Sequence, residues 1–162
     1  MKELSKKIQK ISLDNAKNLI LLDTCFIIHN LSNHKHFELL KGKDVAITSF
    51  NLEELLYVER KLGHELKKLI RKFLKETNFK ILELPIHPGR YKDEREFVKM
   101  VDKDLLKKVG DPSDAVLIAA AIKTDSIVLT KDKHHMFTVQ LEEFLKKYNL
   151  KVYKDAKFLS DH

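Results

Sequence analysis

The sequence predicts an α/β fold, a three-layer sandwich around a mainly parallel central sheet of four to five strands. Short unbroken apolar runs alternate with segments of helical period, and no Pro/Gly-rich linker divides the chain. Its 162 residues are enough to bury a core on both faces of a sheet. An apolar run without alternation fits a strand covered on both faces, as in a parallel sheet. Strand and helix in succession fit right-handed crossovers.

Residues 1–17 read as an N-terminal helical arm whose Ile8, Ile11 and Leu13 dock on the core, and residues 18–162 as one domain. "NLILLDTCFI" opens on the apolar run Leu19 to Leu22, the first strand, and reaches Asp23. "DVAITSF", residues 44–50, repeats the form. From Leu52 the positions Leu55, Leu56, Leu62, Leu66, Leu69, Ile70 and Phe73 recur at three and four, one long amphipathic helix with Gly63 as its candidate break. "FKILELP", residues 79–85, is the third strand. "KDEREFVKMVDKDLLKKVG" carries Phe97, Val98, Val101, Leu105 and Leu106 at helical spacing and stops at Gly110, a C-cap. "GDPSDAVLIAAAI" starts the next helix with Pro112 at its first position. "SIVLTKD", residues 126–132, is the fourth strand, and a helix around "VQLEEFLKKYN" and a short strand around "KVY" close the chain.

Lys and Arg number 31 against 24 Asp and Glu, a net charge of +7 that suits a polyanionic partner. The single cysteine, Cys25, excludes a disulfide framework and a thiolate zinc site, and fits a reducing intracellular setting. The apolar runs fall short of the roughly 18 residues of a membrane span. The first residues lack the apolar core of a signal peptide. A soluble, cytoplasmic protein with no membrane partner is expected.

In a parallel sheet all strands end at one edge, and ligands bind in the crevice outside those ends. Four acids meet there: Asp23 ends the first strand, Glu54 lies in the opening turn of the next helix, Asp114 opens the helix after Pro112, and Asp132 follows the fourth strand. Each has a structural explanation of its own. Asp at a strand end is a common N-cap, and the pairs Asn51/Glu54 and Asp111/Asp114 have capping-box spacing. Together, however, four crowded carboxylates repel one another and take up protons unless a cation neutralises them. Mg²⁺ or Mn²⁺ accepts such oxygens and keeps positions for phosphate. An acidic crevice on a basic protein is what phosphodiester hydrolysis requires.

Two weaker signals flank this edge. His29, His34, His36, His134 and His135 have no Cys partner and no HExxH spacing, so they read as structural or solvated, near enough to the crevice to touch RNA. Lys67, Lys68 and Arg71 on the long helix form a solvated basic face or a phosphate-tracking one, and Lys131 joins them as a nucleic-acid contact.

"LILLDTCFI", "SFNLEELLY", "DPSDAVLIAAAI" and "IVLTKD" stand in the order and approximate spacing of the PIN domain family, which the chain resembles over roughly residues 18–155. The likeness is strongest to compact PIN proteins of the VapC toxin type, which are metal-dependent ribonucleases, usually homodimeric and often held inactive by a cognate antitoxin. By this resemblance Asp23, Glu54, Asp114 and Asp132 match the family's acidic quartet, which is catalytic and metal-binding. Glu54 is preferred to Glu53 because it directly precedes Leu55. Thr24 and Thr130 match hydroxyl positions beside the acids. Asp111, just before Pro112, reads from its position as the N-cap, with a contact to the metal through water as the alternative to a capping role alone. The first motif reads Asp-Thr-Cys where Ser or Ala is commoner at the third place. The arm and the charged stretch from Arg90 to Lys108 leave room for an RNA-processing branch of the family. The expectation is an endoribonuclease whose metal-activated water releases a 3′-hydroxyl and a 5′-phosphate. The alternative is a catalytically silent PIN module that binds RNA or a protein partner.

Overall fold

The computed structural model describes residues 6–35 and 37–159, so His36 and the ends of the chain lie outside it. Strands β2 (Ile20–Leu22) and β3 (Val45–Thr48) are buried at every residue, which is why both appear in the sequence as unbroken apolar runs. Strands β4 (Lys80–Glu83) and β5 (Ile127–Leu129) flank them, with β1 (Lys10–Ser12) and β6 (Val152–Tyr153) at the two edges. The order across the sheet is β1-β4-β3-β2-β5-β6, and every pairing is parallel.

Successive strand residues point to opposite faces, so Leu21, Ala46, Leu82 and Val128 enter one core while Leu22, Val45, Ile47 and Leu129 enter the other. Helices α1 (Thr24–Ser32) and α3 (His64–Glu76) cover the second face with Phe26, Ile27, Ile70 and Phe73. Between them runs α2 (Ser49–Glu59), which places Leu55 in that same core. The first face is covered by α4 (Tyr91–Val101), α5 (Leu105–Val109), α6 (Pro112–Thr124) and α7 (Val139–Leu145). No helix among the described residues is long and apolar enough to cross a membrane.

Three local expectations need correction. Residues 10–12, placed in a helical arm, are a strand pairing Ile11 with Leu82, which brings the sheet to six. "KIS" contains one apolar side chain, too few for any period, and its pairing with β4 decides its state. Ile8, Ile11 and Leu13 do pack on the two cores. The long helix after Leu52 divides before Gly63, which stands at the N-cap of α3. The helix expected to run to Gly110 divides at Asp102, whose backbone is extended. Asp102 accepts from the amide of Asp104 at 2.8 Å, from Lys147 Nζ at 2.9 Å and from the Tyr148 hydroxyl. Burial pushes its carboxyl up, but the bonds from Tyr148 and Lys147 outweigh that and hold it at about 2. Gly110 ends α5 at φ +85°, a conformation that favours glycine.

The crossover β2-α1-β3 covers one face, and the segment leading through α6 to β5 covers the other. The connections that leave the neighbouring strands β2 and β5, through α1 and through α7, lie on opposite faces, so the edge beyond this pair is a topological switch point. Helix α6 enters that edge with Ala115 to Ala121 buried without interruption. Four of those seven residues are Ala, which keeps the helix thin enough to lie between the sheet and α4. Ala119→Leu should therefore overpack this layer and lower unfolding free energy by about 1–3 kcal/mol. A urea titration checks it: the midpoint should fall while the slope holds, and an unchanged midpoint contradicts the packing described.

Candidate active site

Asp23 occupies the N-cap position of α1, yet its side chain makes no capping hydrogen bond. The carboxylate turns into the edge of the sheet instead. Its Oδ2 accepts from Thr130 Oγ1 at 2.6 Å and from Cys25 Sγ at 3.3 Å, and its Oδ1 accepts from Asn51 Nδ2 at 3.3 Å. The residue is 8% exposed, and burial raises its pKa in spite of these donors. Cys25 is pushed up to about 12 by burial and by the adjacent Asp23, so it stands as a neutral thiol donor.

Asn51 holds two of the acids together. The α2 N-cap is Thr48, whose Oγ1 accepts from the Asn51 amide at 2.9 Å and donates to Asn51 Oδ1 at 2.7 Å. That fixes the side-chain amide with its NH₂ toward Asp23, toward Thr24 Oγ1 at 3.4 Å and toward Glu54 Oε1 at 3.1 Å. The capping-box reading of Asn51 is thus replaced by a bridging role. Thr24 is turned the same way, its Oγ1 donating to the Asn51 carbonyl at 3.1 Å. Glu54 is pushed up to about 7 by burial, then by the negative charges of Asp23, Glu94 and Asp111.

Asp111 caps α6 as expected, its Oδ1 accepting from the amides of Ser113 at 2.8 Å and Asp114 at 3.2 Å. Asp114, in the first turn, is pushed up to about 8 by burial and then by Asp132. Burial acts upward on Asp132 too, but the amides of His134 at 2.9 Å and His135 at 3.3 Å bind its Oδ1 and hold its carboxyl below the usual value. Burial and the neighbouring Asp132 thus favour the protonated form of Asp114, while the loop amides favour the ionised form of Asp132. His135 Nδ1 lies 2.9 Å from Asp114 Oδ2 and 3.3 Å from Asp132 Oδ2. One donor atom from each of these three residues lies within 4.8 Å of the other two.

Asp23, Glu54, Asp114 and Asp132 line a single cleft of about 380 Å³, with Thr24, Cys25, Asn51 and Ser113 among its walls. Thr130 is buried beneath it, bonded to Asp23. Lys67, Lys68, Arg71 and Lys131 are not in that lining. Arg71 Nη2 is 3.4 Å from Glu59 Oε1, and Lys131 Nζ lies 5.8 Å from the centre of the Phe26 ring. One acid was not singled out in the sequence: Glu94 on α4, fully buried, accepts from Ser113 Oγ at 2.8 Å and adds its charge to the field at Glu54. Its only sequence signal was a charged residue on the otherwise apolar face of α4.

Three of the four lining acids, Asp23, Glu54 and Asp114, are pushed toward the neutral form by burial. Such a donor set fits a hard divalent cation, which would return all of them to carboxylates. A comparison with known families matches residues 20–138 to the PIN domain. The chain is a PIN domain. No curated protein matches it. Among solved structures, VapBC2 from Rickettsia felis bound to a DNA fragment from their promoter is similar at TM-score 0.56 and 18% identity, over 85% of this chain and 99% of that one. DNA-bound VapBC from Salmonella typhimurium is similar at TM-score 0.55 and 18% identity, over 83% of this chain and 96% of that one. At that identity the likeness is one of fold, and the six-stranded parallel sheet with helices on both faces is the PIN arrangement.

The shifted acids set a pH dependence for the metal-free PIN domain. Asp114 at about 8 and Glu54 at about 7 keep protons that the unfolded chain releases near pH 4. Their stabilisation is complete below about pH 4 and is lost as pH rises through the folded values. Melting temperature in chelator should therefore fall between pH 5 and pH 8, and saturating Mg²⁺ or Mn²⁺ should flatten the decline. A level chelator profile over that interval contradicts the crowding of these acids.

Proposed function

We propose that this PIN domain is a metal-dependent endoribonuclease that hydrolyses RNA phosphodiester bonds in the cleft beyond β2. The observation that carries the reading is the convergence of four carboxylates on one cleft in a chain of net charge +7. Asp23, Glu54, Asp114 and Asp132 would hold one or two Mg²⁺ or Mn²⁺ ions. Such an ion, when bound, acidifies a water and offsets charge on the scissile phosphate. The chain's own residues do the positioning. Thr130 and Asn51 fix the two oxygens of Asp23. Asn51 also orients Glu54, and Asp111 fixes the turn that carries Asp114. Thr24 stands at the cleft wall, where its hydroxyl would meet an RNA oxygen. Lys67, Lys68 and Lys131 would follow the RNA backbone outside the cleft, with Arg71 partly engaged by Glu59.

The VapBC likeness favours the toxin branch over RNA processing, with a cytoplasmic setting, a homodimer and an antitoxin as protein partner. A second groove, of about 950 Å³, supports the partner: Leu52, Leu56, Tyr57, Ile81 and Tyr91 line it, and it shares Glu54 with the cleft. An apolar segment laid there would end against a catalytic acid.

Asp23→Asn and Asp114→Asn should each lower cleavage of single-stranded RNA at least about 100-fold. Asp114→Asn relieves repulsion, so its melting temperature in chelator at pH 8 should hold or rise, whereas Asp23→Asn also turns an amide NH₂ toward the donors Thr130 and Cys25 or Asn51 and should gain less. Activity is read with purified protein, RNA and Mg²⁺ or Mn²⁺, and should vanish in EDTA. Wild-type activity in the double variant contradicts the assignment, and RNA binding without cleavage by the wild type supports a silent binding module instead.

A further inference from the structure

His135 lies beside two of the cleft's carboxylates. Its Nδ1 is 2.9 Å from Asp114 Oδ2 and 3.3 Å from Asp132 Oδ2. Atoms that share one ion at bond lengths of about 2.0–2.2 Å lie roughly 2.8–3.6 Å apart, the octahedral arrangement giving the shorter and the tetrahedral the longer separations. Both separations have the spacing of neighbouring ligands.

Two features show that this placement is built. The loop after β5 winds about Asp132, whose Oδ1 is spent on the amides of His134 and His135. The second oxygen is thereby left toward Asp114 and the imidazole, and the same loop carries that imidazole. In addition the His135 side chain is 43% exposed, so packing into a core does not explain where it points. The neighbouring His134 bonds Asp132 through its backbone amide, and among the described residues its ring forms no hydrogen bond or ion pair with either acid.

We propose that His135 is a nitrogen ligand that completes an Asp114, Asp132 and His135 set, and that this centre prefers a borderline divalent transition ion of the Zn²⁺ class to Mg²⁺. Imidazole suits such ions, whereas Mg²⁺ is served by carboxylate, carbonyl and water oxygens. The inference rests on the metal-dependent reading above and changes its metal, because a set that includes the His135 nitrogen suits a borderline ion better than the hard Mg²⁺ that the carboxylates alone would take.

The test uses the full chain freed of metal by chelation. Mn²⁺ serves as a paramagnetic probe, read by electron spin echo for modulation from a bound ¹⁴N nucleus. Zn²⁺ and Mg²⁺ affinities are read by calorimetry. Wild type and His134→Ala should show nitrogen modulation, and His135→Ala should lose it. His135→Ala should weaken Zn²⁺ at least about tenfold while leaving Mg²⁺ within about twofold. The inference is overturned by a wild type without nitrogen modulation, by modulation that survives in His135→Ala, or by equal weakening of Zn²⁺ and Mg²⁺. RNA cleavage without nitrogen coupling overturns it and leaves the nuclease standing. Nitrogen coupling in a protein that cleaves nothing supports this centre and removes the nuclease.

Discussion

Placing Asp23 at the buried end of the central strand, within the field of Glu54, Asp114 and Asp132, imposes a conflict that neighbouring residues are arranged to contain. A carboxylate out of water costs several kcal/mol unless donors or a cation meet it. Here Thr130, Cys25 and Asn51 supply donors to both oxygens, and protons supply the rest in the metal-free protein. Each donor comes from a different strand end or helix start. The three loops around β2 are therefore held to one another by their common obligation to one side chain.

The support for Asp114 has the same logic at longer range. Helix α6 buries seven consecutive residues, so its first turn cannot drift, and Asp111 satisfies two of the amides exposed there. Glu94 adds a second tie through Ser113 from the helix packed beside it. A buried acid in that position raises Glu54 further. The arrangement sacrifices metal-free stability for a fixed set of oxygens, a common balance where a site must be rigid before its ligand arrives.

What the sequence made legible follows from which residues act locally. Leu19 to Leu22 and the Ala-rich run of α6 announce burial on all sides, and strand-end position alone brings Asp23, Glu54, Asp114 and Asp132 to one cleft. Gly110 and Asp111 were readable as caps because capping depends on a few adjacent residues. Strand β1 was not, because its state comes from pairing with β4, 71 positions away in register between Lys10 and Ile81. Asp102 hid a helix break for the same reason, its partners Lys147 and Tyr148 lying on a distant segment. Asn51 was assigned to the nearer of two roles, and the farther one, to Asp23, depends on Thr48 turning its amide. His135 lacked any ligand motif because its two acids come from α6 and from the loop after β5, and no spacing in one segment encodes that.

Cys25 shows how a small departure from the usual motif is absorbed. Serine or alanine at this place would make a shorter or no reach; the sulfur touches Asp23 Oδ2 and Thr130 Oγ1, each at 3.3 Å, and also accepts from the Lys131 amide at 3.3 Å. It remains protonated because burial and Asp23 push its thiol to about 12, so nucleophilic chemistry is closed to it at neutral pH. What it contributes is a link between the start of α1 and the loop that follows β5. The amide of Asp132 bonds to Thr130 Oγ1, the same hydroxyl that donates to Asp23. Asp23 and Asp132 are thus positioned through one shared pair of side chains, Cys25 and Thr130. The cleft keeps the relative placement of its first and last acid even though 109 positions separate them in the chain.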